Sequence, residues 1–172
     1  MKFSRKKQGG FTLVELVVVL AIIVAAIGAI IARQMSASQT SKVQSEAGNL
    51  QAIVGKVNST FAGRPNYVGA TTAFLLAQGA FPTSMVNGGA VVNTWQGAVT
   101  VAAGAGNTTV DITYAGVPTS ACIELVANTS RSYNEVTVGA TKTKNGAAVA
   151  DLTATQTACS AAATASVTFN SN

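Results

Sequence analysis

Lys2-Phe3-Ser4-Arg5-Lys6-Lys7-Gln8-Gly9-Gly10-Phe11-Thr12-Leu13-Val14-Glu15 leads into an uncharged apolar run from Leu16 to Ala32. A run of about 17–25 apolar residues is long enough to span a bilayer as a helix. Glu15 sits near its start, where a central charge would cost roughly 2.5–3.5 kcal/mol on insertion scales, so the carboxylate calls for a partner. A secretory signal peptide would have a shorter apolar centre and a small-residue cleavage site, such as Ala26-Ile27-Gly28-Ala29, and would not carry Glu15 inside it. A plain membrane anchor explains the run and its basic flank but neither Gly9-Gly10 nor Glu15. A buried core helix is rarely so uniformly apolar in a chain of this size.

Working outward, the stretch from Phe11 to Phe61 contains no proline, and its glycines are Gly28, Gly48 and Gly55. It reads as one helix of roughly 75 Å at 1.5 Å per residue. Beyond Arg33 the pattern becomes amphipathic. Val43, Ala47, Leu50, Val54, Val57 and Phe61 recur at steps of four and three, and Gln39, Lys42, Ser45, Glu46, Asn49 and Lys56 fall on the opposite face. Under three heptads is short for a coiled coil, so the stripe is expected to cover a sheet of the same chain. Gly63-Arg64-Pro65 should end the helix, because the residue before proline avoids the helical conformation.

After the helix the chain is expected to form a connecting region, Asn66 to Asn93, with a short helix from Thr71 to Gln78 capped by Gly79. Pro82 and Asn87-Gly88-Gly89 punctuate it. Strands are expected over Gly97–Ala103 and Thr108–Tyr114, joined as a hairpin by Gly104-Ala105-Gly106-Asn107, and again over Ser132–Val138 and Ala165–Phe169. Pro118 to Asn128 reads as a second helix with Cys122, Leu125 and Val126 on one side. Short connections favour an antiparallel sheet. The expected fold class is α+β, with the long N-terminal helix packed on a C-terminal antiparallel sheet. Residues 11–33 form the apolar segment, 34–62 its amphipathic continuation and 63–172 the β-rich globular part.

Composition narrows the function classes. The 172 residues carry eleven basic and six acidic side chains, a net of +5. Lys2, Arg5, Lys6 and Lys7 precede Gly10, and without residues 1–10 seven basic residues face six acidic ones, a net of +1. The high pI is thus no argument for nucleic acid. Basic residues before an apolar segment stay on the cytoplasmic side, which places everything after Ala32 outside the cytoplasm. Histidine is absent, removing the usual general base and the commonest metal ligand. Glu15, Glu46, Asp111, Glu124, Glu135 and Asp151 are scattered, so neither catalytic nor metal residues are expected and no cofactor is implied. Cys122 and Cys159 have no CxxC spacing. Outside the cytoplasm a structural disulfide is the default, the alternative being two buried thiols.

The junction Gly9-Gly10-Phe11-Thr12-Leu13-Val14-Glu15 resembles the cleavage site of type IV prepilins and their pseudopilin relatives: a short basic leader, glycine before the cut, phenylalanine after it and glutamate fifth in the mature chain. Further along, Asn66-Tyr67, Phe81-Pro82, Asn93-Thr94-Trp95-Gln96-Gly97, Gly116-Val117-Pro118 ahead of Cys122, and Cys159 followed by Val167-Thr168-Phe169 are similar to the type IVb pilins. That group includes the bundle-forming, toxin-coregulated and conjugative thin pilins.

The resemblance implies that residues 1–10 are a leader removed by a prepilin peptidase between Gly10 and Phe11, with the new amino group of Phe11 then methylated. It implies a precursor in the bacterial inner membrane and a helical filament of identical subunits outside the cell. Inner-membrane assembly machinery and an outer-membrane secretin would be partners, and Glu15 would serve assembly. Two functions remain: the major pilin of a type IV pilus, used for adhesion, aggregation, motility or conjugative mating, or a pseudopilin of a type II secretion system. A minor pilin that binds DNA would need more than Arg131, Lys142 and Lys144. Thr153 to Asn172 holds no carboxylate, which disfavours the acidic calcium loop of the major pseudopilins.

Overall fold

A computed structural model describes residues 13–172, with side chains at 13–27 and 37–172. Gly10, Phe11 and the expected leader 1–10 lie outside the described residues. Helix α1 covers Leu13–Thr60 and stops just before Gly63, whose φ of +80° only glycine adopts without strain. The chain divides into two compact units after Ser38. The amphipathic part of α1 therefore belongs to the same unit as the β-rich remainder.

In this second unit, α2 (Thr72–Ala77) starts at Thr71, whose Oγ1 accepts the Phe74 N–H at 3.2 Å. The strands β1 (Val86–Asn87) and β2 (Ala90–Val91) form a hairpin around Gly88-Gly89. Then follow β3 (Val99–Ala103), β4 (Val110–Pro118), α3 (Thr119–Thr129), β5 (Glu135–Val138), β6 (Thr141–Asn145), α4 (Leu152–Cys159) and β7 (Thr164–Ser171). The five longer strands make one antiparallel sheet in the order β3-β4-β7-β5-β6. Strand β7, the latest of the five in sequence, thus occupies the centre.

Alternation along the strands separates two faces. Val99, Val101, Ile112, Tyr114, Val136, Val138, Val167 and Phe169 are buried on one. They join Val43, Leu50, Ile53 and Val57 of α1, and Phe61 just past its end, in a single core cluster, so the helix stripe does pack with the sheet. The other face carries Thr100, Thr113, Thr168, Thr137 and Lys142 in one row across all five strands. Within that row the Thr113 and Thr168 hydroxyls are hydrogen-bonded at 2.9 Å.

Several elements differ from expectation. Segment 66–93 is not mainly a connection but holds the β1–β2 hairpin. Strand β4 runs on to Pro118 through a register shift between Tyr114 and Val117, where Gly116 has a φ of +67°. Strand β6 and helix α4 fall between the expected strands Ser132–Val138 and Ala165–Phe169, where no element is expected from the sequence and Thr141–Asn145 and Leu152–Cys159 contain little apolar periodicity. Their order comes from neighbours. Asp151 accepts the Thr153 and Ala154 N–H groups as the α4 cap, and the Asp151 N–H binds the Thr143 carbonyl on β6 at 2.8 Å.

Candidate assembly surface and its support

In the first unit, Glu15 lies in the first turn of α1, where the helix dipole favours a negative charge. Around it, Leu13, Val14, Leu16, Val17, Val18, Val19, Leu20, Ile22, Ile23, Val24 and Ile27 are all exposed. Fully burying one such side chain contributes about 1.5–3 kcal/mol, so eleven together form a surface that water disfavours strongly and that demands a cover. What the arrangement can do chemically is associate, with lipid or with copies of itself. Among the described residues no helix is long and apolar enough to cross a membrane; positions 28–32 of the expected span lie where side chains are not described.

In the second unit, Cys122 of α3 and Cys159, the last residue of α4, are joined by a disulfide with a Cα–Cα distance of 5.9 Å. Both are fully buried. The bridge encloses β5, β6 and α4, and it fixes α4 immediately before the central strand β7.

The main correction concerns Glu46. Sequence periodicity put it on the polar face, yet it is 2% exposed. The buried seam of the helix runs Val43, Glu46, Leu50, Ile53 and Val57, while Ala47 and Val54 are only partly covered. Alternating steps of three and four fit both readings, and only the position of the sheet and of the turn after Val92 selects between them. Glu46 Oε1 accepts the Thr94 N–H at 2.7 Å, and Oε2 accepts Asn49 Nδ2 at 3.3 Å. Burial raises the carboxyl pKa above its ordinary 4.5, and these two hydrogen bonds partly oppose the rise. Burial raises the Tyr114 hydroxyl pKa well above its usual range as well, with the Glu46 charge adding to the effect.

The turn that Glu46 grips is Asn93-Thr94-Trp95-Gln96-Gly97. Asn93 Oδ1 accepts the Trp95 and Gly97 N–H groups, each at 2.9 Å, and Nδ2 donates to the Ala115 carbonyl at 2.7 Å. A Cβ at Gly97 would fall 1.8 Å from the Ala115 oxygen, so only glycine fits. Trp95 packs partly buried against the core, with Nε1 3.5 Å from Gln39 Oε1. No sequence pattern marked Glu46 as buried; its partner, the Thr94 N–H, lies 48 positions along the chain.

Residues 40–172 match the family described as PilS N terminal, and residues 5–32 match the prokaryotic N-terminal methylation motif. Among solved structures the chain is similar to the type IVb pilin of Salmonella typhi, with a TM-score of 0.60 and 22% identity over 75% of this chain and 99% of that one. It is also similar to TcpA, a type IV pilin of Vibrio cholerae El Tor, with a TM-score of 0.57 and 20% identity over 78% and 99% of the two chains. No curated protein matches the sequence.

Proposed function

We propose, from the premise that this chain belongs to the PilS family and has the type IV pilin fold, that it is the major structural subunit of a type IV pilus. It is a structural protein and not an enzyme. The observation that carries the reading is the exposed apolar first unit of α1 with Glu15 in its first turn, inside the segment that matches the methylation motif.

In this reading a prepilin peptidase removes residues 1–10, Phe11 becomes the methylated N-terminus, and the apolar helix passes from the inner membrane into a bundle of identical helices. The exchange is physically inexpensive, because a segment whose backbone bonds are internal is satisfied equally by lipid and by apolar neighbours. The β-rich unit then faces the exterior, and the filament serves adhesion, aggregation, motility or mating. Glu15, opposite a cationic amino terminus on a neighbouring subunit, neutralises both charges in a low-dielectric core.

Intact-mass spectrometry of sheared surface filaments tests this. The dominant species should begin at Phe11 and carry one methyl group. A chain still starting at Met1, or one starting near Ala29, refutes the processing. A filament in which this chain is only a trace component would make it a minor pilin instead.

A further inference from the structure

A groove lies in the second unit between the Arg131–Asn134 segment and the Gly146–Ala150 loop. It is an open groove of about 510 Å³, within the roughly 300–1,000 Å³ of small-molecule sites. Lys144 of β6, only 7% exposed, forms its floor. The ammonium donates to the Tyr133 carbonyl at 2.6 Å, to the Asn134 carbonyl at 3.3 Å and to the Gly146 carbonyl. One buried cation thus ties the two walls together.

Carbonyl dipoles solvate that ammonium but bring no full negative charge. Arg131 stands exposed beside it on the groove wall. No aspartate or glutamate lines the groove. Among the described residues the one ion pair, Lys142–Glu135, joins β6 to β5, and neither member lines it. Two positive charges therefore share a pocket without a counter-charge.

We propose that this groove binds a small acidic sugar, a carboxylate-bearing saccharide ring. The three hydrogens of the Lys144 ammonium are already engaged, so Lys144 acts through its charge. Arg131 makes the direct contact, since a guanidinium presents two parallel N–H groups to a carboxylate. The Ser132 hydroxyl supplies a partner for ring hydroxyls, and Ala147, Ala148 and Val149 offer methyl groups to the C–H face of the ring. Val149 is 82% exposed and open to such a contact. An extended acidic peptide fits less well. The Asp151 N–H occupies the Thr143 carbonyl on the neighbouring β6 edge, leaving no continuous edge for an added strand. The proposal is independent of filament formation.

The test uses the full chain in detergent, titrated calorimetrically with glucuronate, glucose and sulfate. Glucuronate should bind with a millimolar dissociation constant that weakens with added salt, and glucose should not bind. Arg131→Ala should weaken glucuronate binding by about tenfold or more, the loss of a hydrogen bond to a charged group, with an unchanged melting temperature. Glucose binding equal to glucuronate overturns the charge recognition. Sulfate binding as tightly as glucuronate overturns the sugar recognition. Unaltered affinity in Arg131→Ala overturns the assigned contact.

Discussion

Glu46 of α1 and Thr94 of the turn before β3 are joined by a 2.7 Å hydrogen bond from the Thr94 N–H to the Glu46 carboxylate. The bond ties the long helix to the sheet at a point where the carboxylate has been removed from water. It also fixes the sign of a pH effect.

The Glu46 pKa in the folded chain lies above its ordinary 4.5, so folding favours the protonated form. The penalty for the buried charge is present at neutral pH. It is relieved as pH falls through the folded-state pKa, and the relief is complete below 4.5. Glu46→Gln keeps an acceptor for Thr94 and removes the charge. Its melting temperature should therefore match or exceed that of the native protein at pH 7, and this advantage should shrink as pH falls to 4.5. A difference independent of pH over that range contradicts the assignment.

The Cys122–Cys159 bridge closes a loop of 37 residues, worth roughly 3–4 kcal/mol through restriction of the unfolded chain. Either cysteine replaced by serine should lower stability by about that amount and make the segment around α4 and β7 sensitive to protease. Urea melts of the oxidised, reduced and serine forms compare directly, and equal midpoints would exclude a stabilising bridge.

Glu15→Val should leave the second unit folded while abolishing surface filaments, because Glu15 belongs to the first unit and the core begins at Val43. Electron microscopy of the strain, with circular dichroism of the purified chain, separates the two effects. Abundant normal filaments would remove Glu15 from assembly.

Deleting residues 1–38 should give a soluble, cooperatively folding protein. Deleting through Ala62 should not, since Val43, Leu50, Ile53, Val57 and Phe61 leave the core together. Leu50→Ala in the shorter deletion should cost about 2–5 kcal/mol. A cooperative melt after loss of residues 1–62 would show that the sheet holds without the helix.

The composition and spacing of residues 11–61 were enough to give the long helix, its change from uniformly apolar to amphipathic, and its end near Gly63. Such features depend on neighbours three or four positions away, and sequence displays those directly. The α+β class follows from the same kind of local signal, in the Thr71–Gln78 helix stopped by Gly79, the Gly104–Asn107 hairpin and the alternating strands. A rare pair of cysteines in a chain without histidine also narrows its own chemistry. Only the tertiary structure decided that Glu46 is inside, that β7 enters between β4 and β5, that Thr141–Asn145 and Leu152–Cys159 are ordered, and that Arg131 and Lys144 share one groove. Each of these depends on a partner distant in the chain: Thr94 for Glu46, Ile112 and Val136 for Phe169, the Asp151 N–H for Thr143, the Tyr133 carbonyl for Lys144. A burial or a hydrogen bond across such separations leaves no period in the sequence, because its free energy exists only once the sheet has brought both groups together.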